Sequence, residues 1–271
     1  MIALARFSTL GMAGVIGLSM GVQGAQAPPP HVEQRIDVEK FSLKVEDVVV
    51  PLPNEIFRAL NKLGSINWRE YVRTNKGSNF TERPRIALLL GTVIADGFIA
   101  VQAEDAPAVK DIGQRVQTLA RDIGVERSIT QHAKAIIEGA DKKRWDNVRQ
   151  ELDRTQNSVQ QAMNELHDEK LSQLVSLGGW LRGTEVLTAV VARNFTPDGA
   201  ELLHQPDLLV HFQSQLNAMP EYNIGIVREI QNALVEVKPM IAVGGTRISA
   251  ASVKKINDIT TRLDYGIVTK Q

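Results

Sequence analysis

The sequence predicts an all-α protein, a bundle of about ten helices, and two observations lead to that class. From residue 54 onward, apolar residues recur at the 3.6-residue spacing of helices almost without interruption. The gaps between these segments contain Gly, Pro, Asn, Asp and Ser, the residues that begin and end helices. Residues 54–271 are therefore expected to form a single all-helical domain.

The expected helices follow one another along the chain. The first is capped by Asn54 and ended by Gly64, and a short helix precedes a polar loop over 73–84. Asp105, Asp141 and Ser249 are the expected N-caps of later helices. The remaining helices are predicted over 86–103, 105–124, 126–139, 141–166, 170–192, a short segment from Pro197, 206–216, 221–241 and 249–263.

The first 27 residues have the pattern of a secretion signal peptide. Arg6 provides a positive charge, 10–20 an apolar stretch, and VQGAQA (22–27) the small residues of a cleavage site. Cleavage is expected after residue 27 or, because Pro28 is unfavourable after a scissile bond, after residue 24. An uncleaved anchor is the alternative, although the apolar stretch is short for a membrane span. The Ala/Gly-rich signal is typical of bacteria, so we expect a periplasmic or extracellular protein.

Residues 28–53 are expected to form an extended linker or arm. The segment VEKFSLKVEDVVVPLP (38–53) has β-like character, and Pro51 and Pro53 exclude a helix there. Such an arm would either lie across the helical domain or dock a partner.

Composition and motifs exclude several functional classes. Lys and Arg number 31, as do Asp and Glu, so no positive excess favours nucleic acid as a partner. The absence of cysteine excludes disulfides, thiol catalysis and Cys-ligated metals. The sequence has no G-x-S-x-G, S-x-x-K or Walker motif and no H-E-x-x-H zinc motif. No catalytic residue, metal ligand or cofactor is therefore assigned.

An internal similarity raises the possibility of a duplicated four-helix unit, 85–172 and 173–260. Residues 88–100 align with 176–188, so that Gly91 meets Gly179 and Ala95 meets Gly183. Chance matching among Gly/Ala/Leu-rich helices is the alternative explanation.

The apolar run over 86–103 is long enough to span a membrane, yet Asp96 lies in its middle. A carboxylate at the bilayer centre costs about 2.5–3.5 kcal/mol on insertion scales. A buried helix of a soluble bundle carries no such cost if Asp96 has a partner. We therefore expect no transmembrane span in the mature chain.

The polar residues of two helices define the candidate site. Thr92 and Asp96 share a small-residue face with Gly91, and Arg182 and Glu185 share a similar face with Gly178. Packing of these faces would bring Asp96 to Arg182, with Glu185 supporting the same arginine, because a buried charge requires a partner. The group is either a structural ion pair or the floor of a binding pocket that also includes Trp180.

These observations favour an exported, non-catalytic binding or interaction protein of the cell envelope, with a protein partner or self-association. The alternative is an enzyme in which Asp96 acts as a base and Arg182 anchors an anion.

Overall fold

The computed structural model describes residues 42–45, 48–51, 61, 64–73, 80–245 and 247–269, all within the compact unit 36–271. The predicted signal peptide (1–27), most of the predicted arm and most of the first predicted helix lie outside these residues. Two four-residue strands, β1 (Ser42–Val45) and β2 (Val48–Pro51), pair antiparallel as a hairpin. This hairpin occupies the segment in which the sequence predicts extended backbone.

The rest of the described chain is helical, which confirms the predicted all-α class. Eight helices of 12 residues or more and one of five lie in the described part, slightly fewer than the ten predicted. They are α1 (Arg83–Gln102), α2 (Ala106–Asp122), α3 (Glu126–Asp141), α4 (Trp145–Glu165), α5 (Glu169–Arg193), α6 (Pro197–Glu201), α7 (Pro206–Asn217), α8 (Gly225–Ile241) and α9 (Ala250–Thr269). Short 3-10 turns lie at Trp68–Tyr71 and Pro220–Tyr222.

Most predicted helix starts agree with the structure. The side chains of Asp105, Thr196 and Ser249 each accept a hydrogen bond of 3.0 Å from a backbone N–H in the first turn of the helix that follows. Asp141 is an exception and the prediction for it was wrong. It is the last residue of α3, and α4 begins after Arg144 instead. Because Asp141 still belongs to the last turn of α3, three more residues connect it to the start of α4.

The first five helices are joined by four connections of the same geometry. Each connection has three residues, and the central one has a positive φ that lets the chain turn at once after a helix end. In each, the N–H of the last connecting residue donates to the carbonyl five residues earlier, which satisfies a carbonyl at the helix end. The central residues are Glu104, Gly124, Lys143 and His167.

Helix α1 lies at the centre of the fold. All its residues from Pro84 to Val101 are buried, and its most extensive packing is against α5. The 3.0 Å ion pair between Arg83 and Asp168, near the starts of α1 and α5, indicates that the two helices run in the same direction. Because parallel neighbours cannot be joined by a tight turn, α2, α3 and α4 form the connection between them.

Helix α9 completes the centre of the fold and runs opposite to α1 and α5. Near its start, Asn257 donates to the carbonyl oxygen of Glu185 over 2.8 Å. Near its end, the carbonyl oxygen of Gly266 accepts a 2.8 Å hydrogen bond from Arg85 at the start of α1. Helix α8 packs on α9, and α7 packs on α8.

In the described part of the chain, one helix is long and apolar enough to cross a membrane. That helix is α1, and its most apolar 18-residue window is buried throughout. Its apolar side chains therefore contact protein on all sides, in agreement with the prediction that the run is a core helix rather than a span.

Candidate functional site

The site lies where α1 and α5 cross, and glycines make that crossing possible. A Cβ atom added to Gly91 would overlap the carbonyl oxygen of Val175, and one added to Gly178 would overlap that of Leu88. At Gly179 an added Cβ would lie 3.5 Å from the Gly91 carbonyl oxygen, which is an ordinary contact. The two backbones are thus in direct contact, which fixes the side chains that follow on each helix.

One turn beyond this contact, the crossing joins Asp96 to Arg182. The Arg182 Nε donates to Asp96 Oδ1 over 2.7 Å, and the two residues are only 2% and 0% exposed. The same guanidinium donates through Nη1 to Glu185 and through Nη2 to the carbonyl oxygen of Tyr71 over 2.6 Å. The structure therefore brings together three of the five predicted site residues.

A second arginine, outside the set of predicted site residues, reaches Asp96 from the segment before α1. Arg73 Nη2 lies 3.1 Å from both carboxylate oxygens of Asp96, and its Nη1 donates to Asp264 of α9. We call the five residues Arg73, Asp96, Arg182, Glu185 and Asp264 the central charge cluster. They link α1, α5, α9 and the segment around Tyr71.

Burial governs the electrostatics of the central charge cluster. Burial by itself would lower the pKa of Arg73, but the carboxylates of Asp96 and Asp264 outweigh it and hold that pKa above its usual value. Burial also raises the pKa of Asp264 above the usual range of an aspartic acid, although Arg73 and Arg182 act in the opposite direction. With 30% of its side chain exposed, Arg73 provides the point at which the cluster approaches solvent.

The other two predicted site residues lie beside this cluster rather than in it. Thr92 donates to the carbonyl oxygen of Gly178 over 3.4 Å and so belongs to the helix contact. Trp180 donates from Nε1 to Gln205 over 3.2 Å and packs on Phe212. It stands two residues from Arg182, on the other side of α5, because successive helical residues are rotated by about 100°.

Asp264 was missed although the sequence contains a signal for it. It lies eight residues after Ile256 and four after Thr260, on the face of α9 that those residues bury. An acidic residue on a buried helix face is the same observation that identified Asp96. Arg73 has no such signal, since it lies in a segment without helical periodicity.

A second polar group joins α3 and α4. His132 Nδ1 lies 2.5 Å from Glu151 Oε1, and His132 Nε2 lies 2.8 Å from the Ser158 hydroxyl oxygen. A groove beside it is lined by Glu138, Lys142, Arg144, Glu151 and Arg154, among others. The order hydroxyl, imidazole, carboxylate is that of a serine catalytic triad.

The surroundings of Ser158 argue against that chemistry. Ser158 lies within α4, so the adjacent backbone N–H groups take part in the helical hydrogen bonds. They are not available as an oxyanion hole, which supplies a large part of the catalysis in acyl transfer. Among the described residues, no group of three His, Asp or Glu side chains is placed to hold a metal ion.

Comparison with known proteins adds no family to this description. The chain matches no protein-family model, and no curated protein or solved structure is significantly similar to it. The fold and the site thus define a class only: an all-α protein in which a buried network of ion pairs joins the central helices.

Proposed function

We propose that the chain is an exported, non-catalytic binding or interaction protein of the cell envelope, and that the central charge cluster serves its architecture. One observation supports the architectural role of the central charge cluster. Asp96 accepts hydrogen bonds from both Arg73 and Arg182, and each guanidinium also donates to a second carboxylate. These charges stabilise one another across separate helices, so they are directed at the fold rather than at a ligand.

Export rests on the signal-like pattern of residues 1–27. The test is fractionation of bacterial cells that produce the full chain, followed by intact-mass measurement of the product. The proposal predicts a product in the periplasm or medium that lacks the first 24 or 27 residues. A full-length product retained in the cytosol would contradict it. A matched variant with Arg6→Glu and Leu18→Glu, which damages both the positive and the apolar region, should remain inside the cell.

The interaction role is tested on the same exported product. Native mass spectrometry distinguishes a monomer from a self-associated form, and cross-linking in intact cells identifies a stable protein partner. The proposal predicts a defined homo-oligomer or one recurrent cross-linked partner. A product that is monomeric and yields no reproducible cross-link would contradict an interaction role.

The alternative is an enzyme in which Asp96 is a base and Arg182 an anion anchor. Asp96→Asn separates the two roles. An architectural Asp96 predicts a large loss of unfolding free energy, because Arg182 would remain buried without the fully buried carboxylate that pairs with its Nε. A catalytic Asp96 predicts an unchanged melting temperature together with loss of ligand binding or turnover.

A second candidate function, serine hydrolysis, is favoured only by the arrangement of His132, Glu151 and Ser158. Labelling with a fluorophosphonate probe tests it, with Ser158→Ala as the control. Labelling that depends on Ser158 would establish a nucleophilic serine. The architectural proposal predicts equal background labelling of both proteins, since Ser158 lacks backbone donors for an oxyanion.

A further inference from the structure

Asp264 differs from the other members of the central charge cluster in having an unsatisfied oxygen. The residue is 1% exposed, and one carboxylate oxygen, Oδ2, accepts from Arg73. The other, Oδ1, is buried without a hydrogen-bond partner among the described residues. An unpaired buried oxygen is costly, and the cost is greater when the group carries a charge.

The charge count of the described cluster points to the same residue. Three carboxyl groups face two guanidiniums, which leaves one negative charge in excess if all of them are ionised. Arginine keeps its proton in proteins, so among the described residues this excess is removed when a carboxyl group is protonated or a cation binds. Asp96 accepts from two guanidiniums and Glu185 is partly exposed. Asp264 is therefore the carboxyl group of the cluster whose protonation requires the least free energy.

We propose that Asp264 holds a proton in the folded protein at neutral pH, and that the central charge cluster is a built-in pH sensor. With Asp264 protonated, two guanidiniums face two ionised carboxylates, so the described cluster has no net charge. The raised pKa of Asp264, caused mainly by its burial, acts in the same direction.

Charged groups from the segment before α1 and from α1, α5 and α8 face α9. Arg73 comes from the segment before α1, Asp96 from α1 and Arg182 from α5. Farther along α9, at Gly266, Arg85 of α1 donates to the backbone carbonyl and Glu229 of α8 lies close by. Of these groups, only Arg73 forms an ion pair with Asp264.

The sign of the pH dependence follows from linkage. In the unfolded chain Asp264 titrates near pH 4, whereas in the folded protein it keeps its proton to higher pH. The folded state thus binds more protons between these two values, so stability is highest in acid and falls as the pH rises through this range. Above the folded-state pKa the contribution is lost completely.

The test compares the wild type with Asp264→Asn, which resembles the protonated carboxyl in shape and charge. Denaturant unfolding is measured from pH 5 to pH 9 at constant ionic strength, with Asp146→Asn as the matched control because the Asp146 side chain is 91% exposed. For one bound proton, the unfolding constant of the wild type should rise about tenfold per pH unit relative to Asp264→Asn up to the folded-state pKa, and then level off. The control should follow the wild type at every pH.

Two results would overturn the proposal. One is a ratio of unfolding constants, wild type to Asp264→Asn, that does not change between pH 5 and pH 8, because Asp264 would then be ionised throughout. The other is a ratio that depends on sodium or potassium concentration and not on pH, because a cation would then compensate the charge.

A direct titration keeps the proposal testable if Asp264→Asn does not fold. Wild-type protein labelled with ¹³C at the aspartate carboxyl carbons is followed by NMR from pH 4 to pH 9. One aspartate signal is expected to keep the chemical shift of the protonated form at pH 7. A spectrum in which every aspartate has finished titrating by pH 6 would overturn the proposal.

Discussion

Replacing Gly178 with alanine should loosen the crossing of α1 and α5. An added Cβ overlaps the carbonyl oxygen of Leu88, and a backbone atom inside a helix cannot turn aside as the tip of a side chain can. Overpacking costs up to about 3 kcal/mol, while removal of a helical glycine returns about 1 kcal/mol. The expected net loss of unfolding free energy is thus about 2 kcal/mol, which lowers the melting temperature of a domain of this size by about 4–8 °C.

The matched control is Gly113→Ala in α2. A Cβ at Gly113 lies 3.6 Å from Ile137, which is an ordinary contact, so this variant should gain up to about 1 kcal/mol from helix propensity alone. Both free energies come from denaturant unfolding monitored by circular dichroism. If Gly178→Ala proves as stable as Gly113→Ala, the close backbone contact at the crossing does not exist.

Three further changes test other parts of the fold by the same unfolding assay. Asn257→Ala removes hydrogen bonds to the Glu185 carbonyl and the Thr188 hydroxyl. It should lower the unfolding free energy by about 1–2 kcal/mol. An unchanged unfolding midpoint would mean that these bonds do not hold α9 to α5. Trp180→Phe removes the indole donor to Gln205 and should cost about 1 kcal/mol, and a gain in stability would contradict that contact. Lys143→Gly relieves a residue with φ 54° and should gain about 1 kcal/mol, whereas a loss would argue against the turn geometry.

The helical pattern of the fold was predictable because helices depend on local sequence. The predicted segments 105–124 and 170–192 differ from α2 and α5 by no more than two residues at either end. The same local signals misplaced the start of α4, since Asp141 is a good cap residue but lies where α3 still continues. The choice between two adjacent helical turns depends on packing, which the sequence does not display.

The central charge cluster was predictable only in part, for a related physical reason. Asp96 and Arg182 lie on small-residue faces of long helices, where burial follows from periodicity and a charge needs a partner. Arg73 lies ahead of α1 in a segment with no periodicity, so its position depends on tertiary contacts alone. The duplication of a four-helix unit over 85–172 and 173–260 stays a hypothesis, with chance matching as the alternative.

The central claim is that the Asp96–Arg182 ion pair holds the crossing helices together, and a double-mutant cycle tests it most directly. Asp96→Asn, Arg182→Gln and the double variant are unfolded in denaturant alongside the wild type. Each single variant should lose about 3–5 kcal/mol, because it removes one partner of a buried ion pair. The double variant should lose less than the sum, with a coupling energy of about 1–3 kcal/mol. Losses that simply add would contradict the claim.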